Sequence, residues 1–214
     1  ILKEDDIQKI ELIVTKKQNS IKDEIIELNK KYEEAATLNN KIKSAQRILE
    51  DSNNYNVESS FKLEKQREVY VFGKTTMMQS YKNEKVSLEK WIDIIESAKE
   101  RNLNIQGDIL VSYHTEMFGQ FIHRDCEVEF SIVVENDIKD AEVKKFGNFL
   151  AANAIYVGDY SDIVHTYISL KRWIEENELM VDGPVTERFM LSPVDLPNTE
   201  QHIVKIIVPV KPRN

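Results

Sequence analysis

A spacing of 76 residues recurs through the larger, later part of this 214-residue chain, and it restricts the available folds more than any other feature. Gly107 lies in Ile105-Gln106-Gly107-Asp108-Ile109-Leu110-Val111-Ser112-Tyr113, and Gly183 lies in Val181-Asp182-Gly183-Pro184-Val185-Thr186-Glu187-Arg188-Phe189. Twenty-one residues beyond each glycine an alternating stretch is in register: Val128, Phe130, Ile132 and Val134 against Val204, Ile206, Val208 and Val210. Alternation at period two is the pattern of a strand with one buried face. A helical spacing precedes each glycine. In the first copy it runs through Leu88, Trp91, Ile92, Ile95 and Ala98, with Ser87 as N-cap; in the second through Ile163, Val164, Tyr167, Leu170 and Ile174, with Ser161 or Asp159 as cap. Apolar strands come before the helices, at Val69–Phe72 and at Asn148–Val157. The expected fold is α+β: a pseudo-symmetric pair of β-α-β-β repeats (about 61–136 and 143–212) forming an antiparallel sheet with helices on one face. A ligand is expected in the cleft between the copies.

Residues 1–51 are of another kind. They contain no Gly or Pro, and 10 basic side chains nearly balance 11 acidic ones. Ile7, Val14, Ile21, Leu28, Ala35, Ile42 and Leu49 recur at every seventh position. Ile10, Leu38 and Ala45 fill some matching positions, whereas Lys17, Glu24 and Lys31 interrupt that second row. An unbroken row over six heptads predicts a long coiled-coil helix whose apolar seam meets another helix. Leaving it in water would forfeit about 1.5–3 kcal/mol per large side chain. The seam either folds onto the rest of its own chain or pairs with a second subunit, and a homodimer through these seven residues is the reading adopted. Residues 52–60 form a polar linker, and 61–212 form the second domain.

The remainder carries most of the net charge of −8, which argues against this piece gripping a nucleic-acid backbone by itself. No uncharged apolar run approaches the roughly 18 residues that a membrane span needs. A single cysteine, Cys126, excludes an internal disulfide framework and suits a reducing compartment, so a cytoplasmic location is expected. No secretory signal opens the chain, and a first residue of Ile1 suggests that something precedes it.

Enzymatic signatures are missing: there is no glycine-rich phosphate loop, no nucleophile elbow and no paired CxxC. His114, Glu116, His123, Asp125 and Cys126 share one short span with donors suited to zinc or copper. That span also reads as a solvated connection between strands, so neither a metal nor a cofactor is expected. Glu187 is more informative. Alternation puts it on one face with Val185, Phe189 and Leu191, where an unpartnered carboxylate is costly. It therefore has an internal partner or awaits a cationic ligand. Tyr113 is the repeat-mate of Phe189, Tyr156 and Tyr160 flank the turn into the second helix, and Tyr70 and Phe72 occupy the corresponding strand of the first copy. Aromatic faces around a carboxylate suit lipophilic cations.

At this point the second part resembles the GyrI-like effector-binding domain of multidrug-sensing regulators of the BmrR type. The resemblance rests on Tyr156-Val157-Gly158-Asp159-Tyr160, on the helix with Leu170-Lys171-Arg172-Trp173-Ile174-Glu175-Glu176-Asn177, on Gly183–Phe189 and on Ile203–Val210. The first part resembles the dimerisation helix of MerR-family regulators. The resemblance implies an upstream winged helix-turn-helix domain, absent from this chain, as the only contact with DNA, and an antiparallel coiled coil between two subunits. The family's ligand-facing acid falls on Glu187, and the aromatic of its glycine turn falls on Tyr160. Two positions depart from the pattern: His202 stands where such a sensor has an aromatic residue, and Asp159 where the glycine turn usually has Pro.

The expected function is the ligand-sensing and dimerising portion of a MerR-type transcription regulator and not an enzyme. Its effector is expected to be small, lipophilic and cationic, bound by Glu187, Tyr160, Tyr156, Phe189, Tyr113, Phe72 and His202. Two alternatives differ in class: a GyrI-like hydrolase of small reactive compounds using a pocket Glu and Tyr, and a protein-binding inhibitor module.

Overall fold

The structure, a computed structural model, describes residues 4–52, 61–78, 84–122, 125–135, 140–192, 194–195 and 202–213. One helix, α1 (Glu4–Ser52), leads. It is followed by β1 (Lys62–Lys65), β2 (Val69–Met78), α2 (Glu84–Glu100), β3 (Ile105–Tyr113) and β4 (Cys126–Val134). The second copy runs β5 (Val143–Phe146), β6 (Leu150–Val157), α3 (Ile163–Glu176), β7 (Leu179–Val181), β8 (Val185–Leu191) and β9 (Ile203–Pro212). The proposed linker falls largely on 53–60, outside the described residues.

Two compact units divide inside α1, at Ile1–Ile42 and Lys43–Asn214. In the first, Ile7, Val14, Ile21, Leu28 and Ile42 are exposed on the single chain, as is Ala35; the Leu49 side chain lies outside the described residues. In the second unit, the end of α1 packs Ala45 and Ile48 into a small cluster with Leu191, Ile203, Ile155, Val157 and Met190.

All strand pairs are antiparallel, in the order β1-β6-β9-β8-β3-β4-β2-β5, with β7 on β9. Strands β1 and β5 are not legible as strands, because each is only four residues long, has two lysines and contains no fully buried residue. They exchange between the copies: β1 pairs with β6 of the second repeat, and β5 pairs with β2 of the first. Strand β1 lies at one end of the order and β2 near the other, yet residues 66–68 alone join them. From Lys65 to Val69 is four Cα steps, roughly 14 Å at most, so the two ends of the sheet must curl together. Their turns interlock: the Gln66 amide donates to the Phe149 carbonyl, and the Asn148 amide to the Gln66 carbonyl, both at 2.8 Å. Gly147, at φ +116°, permits this, since a Cβ there would lie 2.3 Å from the Arg67 carbonyl oxygen.

Both α2 and α3 contribute to the main core on one face of the sheet. In α3 the buried stripe is Ile163, Tyr167, Leu170 and Ile174, as the spacing predicts. In α2 it is Trp91, Ile94 and Ala98, while Leu88 and Ile92 stand exposed, so the apolar face is narrower than the residue pattern implied. The α2 start also differs: the helix begins at Glu84, which places Ser87 inside it rather than at its cap. Both helices end on a residue in the left-handed conformation, Asn102 and Glu178, each at φ 56° and 76 residues apart.

Candidate functional site

The two copies meet where β3 pairs with β8. The register sets Val111 opposite Glu187, with Ile109 opposite Phe189 and Tyr113 opposite Val185. Val111 and Glu187 are themselves repeat-mates, so the pseudo-two-fold axis passes through this pair. On the other face the neighbouring Ser112 and Thr186 hydroxyls meet at 2.8 Å. Strand alternation turns Glu187 towards the helices, together with Val185 and Phe189, into the main core. Leu191 does not share that face as its spacing suggested. An irregularity in the β8–β9 register between Phe189 and Leu191 sends it to the cluster with Ala45 and Ile203.

Glu187 is 0 % exposed. Its Oε1 accepts from the Tyr167 hydroxyl at 2.6 Å; its Oε2 accepts from Tyr113 at 2.8 Å and from Tyr160. The Tyr113 and Tyr160 hydroxyl oxygens are 2.9 Å apart. Both carboxylate oxygens thus lie within hydrogen-bonding reach of phenol hydroxyls. Glu187 therefore has internal partners, and the three phenols among them are uncharged. Rings enclose the group. Phe189 stacks on Tyr160 at 5.9 Å and packs on Trp91 at 4.7 Å. On the other side Tyr167 meets Phe121 edge-on at 4.9 Å and Phe118 at 6.5 Å.

Local sequence explains the placement of Tyr160. Gly158, at φ +134°, turns the chain out of β6, and Asp159 accepts the Ser161 amide at 2.9 Å, capping the short 3-10 turn Tyr160–Asp162 that carries the ring. Of the two cap candidates, Asp159 serves that turn, whereas α3 itself begins after Asp162, which makes no side-chain cap bond. Tyr156 braces the same turn from β6, its hydroxyl donating to the Asp159 carbonyl. Burial, then the charges of Asp162 and Asp159, push its phenol up to about 12. The Gly158 amide donates to the His202 carbonyl at 3.1 Å, tying the turn to the start of β9, and His202 is buried.

The structure thus brings Glu187, Tyr160, Tyr113 and Phe189 together and sets Tyr156 and His202 at the adjoining turn. It does not bring Phe72 there. That ring lies on β2, three strands from β8, with the Arg101 guanidinium 5.2 Å over its centroid. Tyr167, Trp91, Phe118 and Phe121 join the site unexpectedly. By spacing, Tyr167 and Trp91 fit core positions of their helices; they are repeat-mates, and a tyrosine in an otherwise aliphatic stripe is the sequence signal that sets Tyr167 apart. Phe118 and Phe121 sit in the connection read as solvated, where two aromatics three residues apart mark a buried turn.

Among the described residues no three His, Cys, Asp or Glu side chains converge as a metal site would need. His114 faces Glu129 at 3.4 Å, Cys126 is buried 3.3 Å from the Thr115 hydroxyl with its thiol pKa raised by that burial, and His123 lies outside the described residues. A groove of about 380 Å³ between β2 and α2, bordered by Lys74, Lys90, Glu96 and Glu100, contains none of the expected site residues. No described helix is long and apolar enough to cross a membrane.

Residues 58–211 match the GyrI-like small molecule binding domain. The chain belongs to the GyrI-like family. No curated protein matches it. In fold this GyrI-like chain is similar to the C-terminal domain of EcmrR, at 17% identity and TM-score 0.60, covering 71% of this chain and 97% of that one. It is also similar to EcmrR in an EcmrR–DNA complex, again at 17% and 0.60, here over 99% of this chain and 85% of that one. An uncharacterised conserved protein from Listeria innocua shares the fold at 14% identity and TM-score 0.53, over 76% and 97% of the two chains. These identities speak for the fold alone.

Proposed function

We propose that this chain is the sensing and dimerising portion of a MerR-type transcription regulator, and that its effector is a lipophilic cation held against Glu187. The observation that carries this reading is a carboxylate at 0 % exposure, ringed by aromatic side chains and bonded to three neutral phenols. A cation brought to such a group gains both charge neutralisation and aromatic contact. Tyr160, half-buried on its glycine turn, is the ring whose displacement admits the ligand. Tyr113, Tyr156, Phe189 and His202 shape the site around it.

Signal leaves through the sheet. Glu187 and Phe189 precede the β8 irregularity, and Leu191 beyond it touches Ala45 near the end of α1. Ligand shifts such an arrangement only through its differential affinity for two states. The exposed row Ile7, Val14, Ile21, Leu28, Ala35 and Ile42 is the seam through which two subunits pair, and sedimentation of the purified chain as a dimer tests it. DNA contact belongs to an upstream domain. The likeness to EcmrR over nearly the whole chain supports the combination of helix and domain.

A hydrolase would use the same Glu and Tyr, but a general base must reach a water. Here both Glu187 oxygens accept from phenols. A thermal-shift screen of matched cations, anions and neutral aromatics separates the readings: cations alone raise the melting point if the proposal holds. Turnover of reactive electrophiles without any such shift would favour the hydrolase.

A further inference from the structure

The second copy closes a space that the first leaves open. Ser97 on α2 is the repeat-mate of Trp173 on α3. On the sheet, Lys74 of β2 pairs with Phe130 and Ala154 of β6 pairs with Ile206. Phe130 and Ile206 are repeat-mates, so Lys74 and Ala154 hold equivalent places. In the second copy Ala154 and Trp173 both join the main core, and the indole meets Phe61 edge-on at 6.2 Å. In the first copy a serine in place of the indole leaves volume unfilled, and a lysine in place of the alanine makes the wall polar. That place is the groove of about 380 Å³ between β2 and α2, a volume within the roughly 300–1,000 Å³ range of small-molecule sites.

The groove combines an apolar floor with charged walls. Phe130 and Ile94, both members of the main core, supply the apolar surface. The Lys74 ammonium donates to the Ser97 hydroxyl at 2.7 Å, from strand to helix. Glu100 lies three residues beyond Ser97 on the same face of α2, a separation of roughly 5–6 Å that one small molecule spans. Lys90 and Asp93 also border the groove and face each other at 3.8 Å. Lys74, Glu96 and Glu100 border it too, yet none of the three forms an ion pair among the described residues. An ammonium at Ser97 and a carboxylate one helical turn away thus share one groove, and neither charge is answered.

We infer that this groove is a second binding site, separate from the one around Glu187, and that its ligand is a small zwitterion: a free amino acid with an apolar side chain. The ligand carboxylate accepts from Lys74 and Ser97, its ammonium lies against Glu100 and Glu96, and its side chain covers Phe130 and Ile94. Selection is for both charges together. A lipophilic cation alone leaves Lys74 unanswered, and a carboxylate without an amine is repelled by the two glutamates. The inference therefore stands apart from the cation reading of the central site.

The test is calorimetry of the full chain with phenylalanine, phenethylamine and 3-phenylpropionate, which share a ring and differ in their charged groups. Wild type should hold phenylalanine about fivefold more tightly than either analogue, the scale of one charge contact open to solvent. Lys74→Met should weaken phenylalanine by about the same factor without weakening phenethylamine, which has no carboxylate to lose a partner. The double variant Glu96→Gln/Glu100→Gln should weaken phenylalanine without weakening 3-phenylpropionate. Ser97→Trp, which installs the residue of the second copy, should abolish phenylalanine binding, whereas Glu187→Gln should bind it as wild type does. No binding of phenylalanine to wild type, equal affinity for the three molecules, or a preference that survives in both charge variants overturns the inference. So does loss of phenylalanine binding in Glu187→Gln, which would put the amino acid at the central site. Should Ser97→Trp fail to fold, the charge variants still decide, because Lys74, Glu96 and Glu100 are exposed.

Discussion

The two repeats place the same positions around their shared axis and fill them with different chemistry. The first supplies Trp91, Val111 and Tyr113; the second supplies Tyr167, Glu187 and Phe189. Backbone symmetry survives in details such as the paired left-handed residues Asn102 and Glu178, and in the exchange of β1 and β5 between copies. Polarity does not survive. The second copy holds a carboxylate with a donor from its own helix, while the first offers valine and an indole N–H without a partner among the described residues. A duplicated scaffold thus builds a two-sided enclosure, and asymmetry in three positions places a carboxyl group on one side only.

Breaking that asymmetry should have the largest effect. Val111→Glu restores identical residues on the axis, directly opposite Glu187 and fully buried. Two carboxylates there would cost at least about 3 kcal/mol of stability, read by urea denaturation. A smaller effect follows from Tyr167→Phe, which removes one donor to the buried carboxylate at little change in volume. The expected loss is about 1–3 kcal/mol, and an unchanged denaturation midpoint would show that the bond at Oε1 contributes nothing.

The helix ends sharpen the comparison further. Glu178→Gly relieves a left-handed residue with no special tolerance for that region and should gain about 0.5–1 kcal/mol. Asn102→Gly should gain less, because asparagine already adopts that conformation more readily. Tyr156 gives the smallest difference, and only in alkali. Its phenol is raised from 10 to about 12 by burial, so the folded chain holds its proton after the unfolded chain has released it. The associated stability is present below pH 10 and is lost as pH rises towards 12. Tyr156→Phe should flatten that part of the stability profile and leave the neutral range with only the loss of one turn-bracing hydrogen bond.

Much of this was legible before any coordinates. The 76-residue spacing yielded the duplicated strands and helices, and alternation around Glu187 placed the carboxylate on the apolar face. Other features were hidden for physical reasons. Strands β1 and β5 bury too little to leave an apolar pattern, and their pairing across copies depends on the curl of the whole sheet. Periodicity assigned Tyr167 and Trp91 to the core but could not say that one hydroxyl would find a carboxylate and one indole would not. Phe72 looked equivalent to its counterparts because symmetry in the chain says nothing about lateral distance in a sheet. The irregularity that diverts Leu191 towards Ala45 has no marker in composition.

The central claim is that Glu187 reads positive charge, and calorimetric titration of tetraphenylphosphonium into wild type and Glu187→Gln at one salt concentration tests it most directly. Glutamine keeps the shape and an acceptor oxygen but removes the charge. The account predicts micromolar-range binding to wild type that weakens by about tenfold or more in the variant, the scale of a charge contact in a poorly solvated site. Equal affinity in the two proteins, with both correctly folded, would contradict it.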